Sequence, residues 1–348
     1  MIVEARYETG IGHERLPTVE IRNEVQQNAV ADEVSALVAV VRPILQGILY
    51  SLKKEAVEDA GGLTGILLRQ LPRVRRAGDG DTGICFEYAV HDAIARHDAA
   101  VLERVADALD KCKVPGSELS SILFGVEKAG SQQLINTAAD SLTDDSSLLY
   151  GTQGRPVKLK KHLSSAATAF RTRGRTSTLP QSVSGLWKAD LFLGAVDADR
   201  WVGTSVKINR SHLEPVRGLR IGIVPAQQGN TDKIVKDEKK NLMVCPLPYD
   251  GAFVETFYTA WELVVQFLTA DAQVPKEVSL PRPAARQVAR MLAERRDFPV
   301  VDVIEALLPL AQPQLLETTT TDAILLPSGR QTAAINTSSV VAPIPTLF

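Results

Sequence analysis

The chain has 348 residues, enough for two domains or for one core with elaborations. A hydrophobic content of 45% supports a sizeable core without disulfides or a metal staple. The formal net charge of −2 excludes a polycation, so any affinity for nucleic acid must reside in a local patch.

From the N-terminus, Met1–Gly10 carries early charges and no apolar run, which excludes a signal peptide. Residues 19–58 read as helix: Ile21, Val25, Val30, Val34, Leu37, Val41, Ile44, Ile48 and Leu49 keep helical spacing, and Pro43 is expected to kink or split it. The loop Gly78-Asp79-Gly80-Asp81-Thr82-Gly83 reads as a turn and N-cap before a helix over Ile84–His97. Further helices are predicted over Ala99–Lys113 and Glu118–Ala138. The acidic, Ser-rich piece Asp140–Ser147 reads as a boundary or surface loop. From residue 151 strand-like runs follow, at Lys188–Leu193, Trp201–Asn209, Leu219–Pro225 and Leu242–Leu247. A helix returns over Ala252–Leu268, and two short amphipathic helices within 282–311 are split by Asp297-Phe298-Pro299. The Thr/Ser/Pro-rich tail, Glu317–Phe348, reads as irregular strand or a partly disordered segment. No run approaches the ~18 uninterrupted apolar residues of a membrane span, so a cytoplasmic protein without membrane contact is expected. Cys85, Cys112 and Cys245 form no CxxC or Cys/His cluster and read as reduced, mostly buried thiols.

The segment carrying chemistry is a hairpin. Trp187–Gly194 and Trp201–Asn209 read as strands joined by the polar turn Ala195–Arg200. A turn centred near Asp197–Ala198 sets Asp190 opposite Ser205, and alternation then puts Ser205 and Lys207 on the face of Asp190, with Leu191, Leu193, Val206 and Ile208 on the other. An Asp/Lys pair across a hairpin is in most proteins a surface ion pair worth at most ~1 kcal/mol. Here it lies in an apolar strand context that follows a helix bearing Glu87.

Over roughly Ile84–Leu268 this order resembles the PD-(D/E)xK nuclease superfamily, whose motifs are short and degenerate. Ala189-Asp190 stands where the family has Pro-Asp, and Ser205-Val206-Lys207 where it has (Asp/Glu)-x-Lys. The serine removes one anionic ligand; some restriction enzymes carry Ser-x-Lys and supply the carboxylate from elsewhere, and Glu87 and Glu214 are the candidates here. The resemblance implies an α/β fold: a restriction-endonuclease-like mixed sheet flanked by helices, with an N-terminal helical region. Residues 1–76 would form that region, 77–270 the nuclease core with an insertion around 115–180, and 271–348 the C-terminal helices and tail.

It also implies a Mg²⁺ ion, replaceable by Mn²⁺, held by Asp190, Glu87 and the carbonyl of Val206, with Lys207 and Ser205 completing the catalytic set. Phosphodiester cleavage needs a nucleophilic water and relief of charge on the phosphate. Mg²⁺ on one or two carboxylates serves both, and Lys207 would orient the water or neutralise the phosphate.

Residues 151–189 hold Arg155, Lys158, Lys160, Lys161, Arg171, Arg173, Arg175 and Lys188 and no acidic residue, a composition suited to phosphate contact or to a solvated loop. It leads directly into the Asp190 strand, which makes DNA the expected partner. A second copy or a protein of a defence system is the further partner expected. The five histidines show no HExxH or paired metal spacing; His91 lies one turn after Glu87. Three functions compete: a metal-dependent DNA endonuclease of restriction or antiviral defence, a nuclease-fold DNA-binding subunit without catalysis, favoured by Ser205, and a Ser-Lys hydrolase through Ser205 and Lys207, disfavoured for want of an oxyanion hole.

Overall fold

The computed structural model describes residues 21–75, 81–125, 131–149, 156–171, 188–216, 218–229, 233–249, 253–273 and 280–311. The chain forms two compact units. The smaller, residues 1–33 with 313–348, is described only where its first helix begins; the larger, 34–312, holds everything below. The boundaries expected at residues 76 and 270 fall inside the larger unit.

The fold is mixed α/β. An eight-stranded sheet has the order β1 (Leu119–Leu123), β4 (Leu191–Ala195), β5 (Arg200–Val206), β6 (Arg220–Pro225), β8 (Leu242–Leu247), β7 (Val235–Asp237). The short β2 (Ser147–Leu148) runs parallel to the start of β5 and pairs with β3 (Val157–Lys158). β1, β4 and β5 are antiparallel in succession, whereas β5, β6 and β8 are parallel.

Helices cover both faces. On one lie α4 (Asp81–Ala95) and α5 (Ala99–Lys111), tied to the sheet by His91 on Ser121 and by the Cys245 thiol on the Arg104 carbonyl. On the other, α6 (Ser131–Asp140) and α7 (Leu159–Arg171) enclose a core with Ile122, Phe124, Leu148, Phe192 and Trp201. Alternation along β1 explains the division, since Ser121 and Ile122 point to opposite faces. α5 is amphipathic and N-capped by Asp98, whose carboxylate accepts from the Val101 N–H at 3.1 Å.

α1 (Ile21–Ser51), from Val34 onward, and α4 are apolar on most sides and buried accordingly. Within α1, Ala29–Ser51 is long and apolar enough to cross a membrane by composition alone, yet 72% of its most apolar 18-residue window is buried inside the protein. Val38, Val41, Ile44, Leu45 and Ile48 are fully enclosed. Cys85 of α4 lies against Gly47, where a side chain's Cβ would come within 3.0 Å of its backbone. α8 (Phe253–Thr269) closes the far side of α4: Phe86 meets Phe257 edge-on at 5.0 Å and Phe253 at 6.3 Å. The short α2 (Lys54–Asp59) and α3 (Leu71–Val74) lead from α1 to α4. α9 (Pro283–Glu294) and α10 (Val300–Leu307) are laced to the segment before α3, through Val300 N–H on the Ile66 carbonyl and Leu68 N–H on the Phe298 carbonyl.

Three expectations are corrected. Residues 118–138 are not one helix: Leu119–Leu123 forms strand β1, and α6 begins only at Ser131. The alternation of Ile122 and Phe124 into the α6–α7 core and the pairing with β4 outweigh the local helical spacing. Residues 115–180, expected as an insertion, thus supply strands to the main sheet. Pro43 does not split α1, which runs unbroken to Ser51; the break falls instead at Leu52–Lys53, before α2.

Phe86→Ala removes the ring that joins α4 to α8 at a fully buried position. We expect a loss of about 3–5 kcal/mol, the usual cost for a buried Phe truncation, read as a lower urea midpoint with the slope retained.

Candidate active site

The hairpin forms in the register expected from its turn: Leu191 lies opposite Thr204 and Ala195 opposite Arg200. Asp190 sits at the bend just before β4, and its main chain is held from both sides. Its N–H donates to the Thr204 carbonyl at 2.9 Å, and its carbonyl accepts from the N–H groups of Phe124 and Gly125 at 2.9 and 3.1 Å. Its carboxylate Oδ2 accepts from the Val206 N–H at 2.8 Å and from Lys207 Nζ at 2.8 Å. The same ammonium lies 3.5 Å from Oε1 of Glu87 on α4. Helix, first strand and second strand therefore each deliver one charged group to one point.

Burial gives this cluster its character. The side chains of Glu87 and Asp190 are 5% and 12% exposed, while Lys207 is 32% exposed and so is the member that meets solvent. Glu87 is fixed by its helix neighbours, since Phe86 is locked into α8 and Ala89 and Val90 are buried. Two carboxylates from different elements thus face one ammonium.

The peptide of Val206 is oriented toward the same place. Lys207 N–H donates across to the Ile223 carbonyl of β6 at 2.9 Å, so by alternation Val206 turns its own peptide groups to the β4 side. Its N–H reaches Asp190, and its carbonyl leaves on that edge. Two carboxylates and a main-chain carbonyl match Mg²⁺, which takes one or two carboxylates and keeps waters for the rest of its shell. Among the described residues, no group of three or more His, Cys, Asp or Glu is assembled, so a closed zinc-type cage is not formed there.

Ser205 is not joined to the cluster. Its hydroxyl donates to the Lys188 carbonyl at 3.1 Å and accepts from Nη1 of Arg220 at 3.3 Å. Arg220 is buried on β6, within hydrogen-bond reach of that hydroxyl. The arginine is a site feature that sequence reasoning missed; its one signal was a charged residue inside the apolar run Leu219–Val224. Glu214 is an exposed partner of Lys188, whose hydrogen bond and charge, with a smaller contribution from the Lys207 charge, hold its carboxyl below the usual range. Of the two candidate carboxylates, Glu87 is the one beside Lys207.

The basic residues are not gathered around Asp190 in the described part of the chain. Lys158 pairs with Asp145 at 2.8 Å and Lys160 with Asp144 at 3.5 Å, and Lys161 is exposed on α7. Arg155, Arg173 and Arg175 lie outside the described residues, as does the side chain of Arg171.

One turn beyond Glu87, His91 Nδ1 lies 2.8 Å from the Ser121 hydroxyl. Burial, helped by the nearby Arg42 guanidinium, pushes the imidazole pKa down to about 4. The adjacent Asp92 takes both Arg42 and Arg96, the latter at 2.7 Å, which welds α1 to α4.

Comparison with family models, with curated proteins and with solved structures returned no match.

Because the folded-state pKa of His91 lies below its unfolded value near 6.5, the neutral ring favours the folded state. That contribution is present in full above the unfolded pKa and is lost as pH falls from about 6.5 through 4. We expect His91→Gln to flatten the stability-versus-pH curve in this window by on the order of 2 kcal/mol, measured by urea unfolding at each pH. An unchanged slope would contradict the assignment.

Proposed function

We propose that the protein is a metal-dependent DNA endonuclease on a restriction-endonuclease-like core, acting in the cytoplasm in restriction or antiviral defence. The observation that carries this reading is the convergence of Asp190, Lys207 and Glu87 from two adjacent strands and a flanking helix, the arrangement expected of the PD-(D/E)xK superfamily. A mixed sheet with helices on both faces supports it at a coarser level.

In this reading Asp190 and Glu87 hold Mg²⁺ or Mn²⁺, with the Val206 carbonyl as a third oxygen. When bound, the ion supplies Lewis-acid charge at the scissile phosphate. Lys207, the most exposed of the three, presents its ammonium to that phosphate or to the attacking water. The Val206 N–H keeps the Asp190 carboxylate aimed, so the ligand does not have to be ordered when the ion arrives. Ser205 acts through structure: it ties the Lys188 turn to Arg220.

Plasmid DNA incubated with the protein and MgCl₂ should be cleaved, and EDTA should stop it. Asp190→Ala and Lys207→Ala should each lower the rate by about 10²-fold or more, as loss of a transition-state charge partner does. Ser205→Ala should leave it within a few-fold. Absence of cleavage with either metal, on every DNA tested, would refute the endonuclease.

Ser205 in place of an acidic residue favours a second reading, a DNA-binding subunit of a larger complex without catalysis. There, Asp190→Ala would leave DNA affinity unchanged. For either reading, reversing the charges of Arg171, Arg173 and Arg175 should weaken binding at low salt and reduce the slope of log K against log salt by about 0.9 per lost phosphate contact. An unchanged slope would retire the basic segment as a DNA contact.

A further inference from the structure

Along the outer edge of β1 runs a cavity of about 410 Å³ between α1 and α4 on one side and α6 on the other. Four consecutive strand residues, Ser120–Leu123, line it, which happens when a cavity follows a strand edge rather than one face. Its position ties it to the cluster above. His91 on its wall is one helical turn from Glu87, and Ser121 is three residues from Phe124, whose N–H holds the Asp190 carbonyl.

The hydrogen bonds of β1 determine what this edge presents. Val196 N–H donates to the Glu118 carbonyl and Phe124 N–H to that of Asp190, so residues 118, 120, 122 and 124 turn their peptide groups toward β4. Ser121 and Leu123 then direct N–H and C=O outward into the cavity, while the outward N–H of Leu119 is taken by the Ser117 carbonyl at 3.1 Å. Among the described residues β4 is the only strand on β1. The edge therefore offers paired donors and acceptors at fixed spacing.

The walls add an aromatic surface and a charge preference. Tyr50, half-buried, and Tyr88 lie nearly parallel, ring centroids 6.0 Å apart and planes within 9°. Among the described residues no lysine or arginine lines the cavity, and Asp199 is the one acidic member. Ser146, Thr143 and Trp201 all donate to that carboxylate. Among the described residues a phosphate or carboxylate would meet no cation there and one anion. A flat, uncharged ring with donors and acceptors along one edge would meet a π surface, the amide of Gln46 and the strand's peptide groups.

We propose that this cavity binds a nucleobase, stacked against Tyr50 and read along its hydrogen-bonding edge by the peptide groups of Ser121 and Leu123. The base can come from a free nucleoside or from a nucleotide turned out of a strand; the second source alone rests on the DNA reading above. Any phosphates stay outside the cavity.

The test uses the full chain without metal. Adenosine, guanosine, cytidine and thymidine are titrated in by calorimetry, and a DNA duplex carrying one 2-aminopurine is followed by fluorescence. Tyr50→Ala and Gln46→Ala, both half-buried, are checked for an unchanged unfolding midpoint. At least one nucleoside should bind saturably, and Tyr50→Ala should weaken it about tenfold, the size of one base–aromatic stack, while Tyr50→Phe keeps most of the affinity. Failure of all four nucleosides together with a 2-aminopurine response abolished by Tyr50→Ala would assign the cavity to an extruded base. No response from any probe at millimolar concentration, or responses indifferent to Tyr50→Ala in a folded variant, would overturn the proposal. Nucleoside binding that survives in a protein unable to cut DNA would sink the nuclease and leave this site standing.

Discussion

The bend at Asp190 is the constraint on which the candidate site depends. Its N–H is held by β5, its carbonyl by the end of β1, and its carboxylate by the next peptide of β5. With all three fixed, the carboxylate has one place to be, and Lys207 follows because its own N–H is bound to β6. A buried carboxylate is costly unless it is paired and hydrogen-bonded. Here both conditions are met by groups that strand pairing would place there in any case. The charged cluster is in this sense a product of the sheet rather than an addition to it.

Glu87 comes from a different logic. α4 is buried on nearly every side, so the direction of its acidic residue near the hairpin is set by the packing of the helix. The aromatic contacts of Phe86 with Phe253 and Phe257 set the helix rotation, and the Arg42–Asp92–Arg96 cluster anchors its other end to α1. Changes in these distant contacts would move Glu87 relative to Lys207 without touching either.

Much of this was legible in the sequence because it is local. The hairpin register follows from the polar turn at 196–199 and the strand period of two, and it places Asp190 and Lys207 in contact as expected. The two short helices after residue 282 were likewise marked by Asp297-Phe298-Pro299. What was not legible depended on distant pairing. Leu119–Leu123 has a spacing that a helix would also satisfy, and only its alignment with β4 makes it a strand. Ser205 is similar: its residue type could be read as a nucleophile or a vacant ligand position, but its hydroxyl is spoken for by Arg220, which lies fifteen residues away on another strand. Pro43 does not split α1, because a helix enclosed in a core can carry a proline whose missing hydrogen bond is offset by packing.

The enclosure of α1 has a consequence for how the chain is made. Its apolar stretch leaves the ribosome well before α4, which supplies Cys85 and Asp92 to its surface, and long before the segment around Leu310, whose carbonyl accepts from Ser35 across 275 residues. Until those arrive, a 23-residue apolar helix has nothing of its own protein to lie against. Stalled or truncated products that lack those segments would leave this apolar surface uncovered, the condition under which incomplete chains associate with one another.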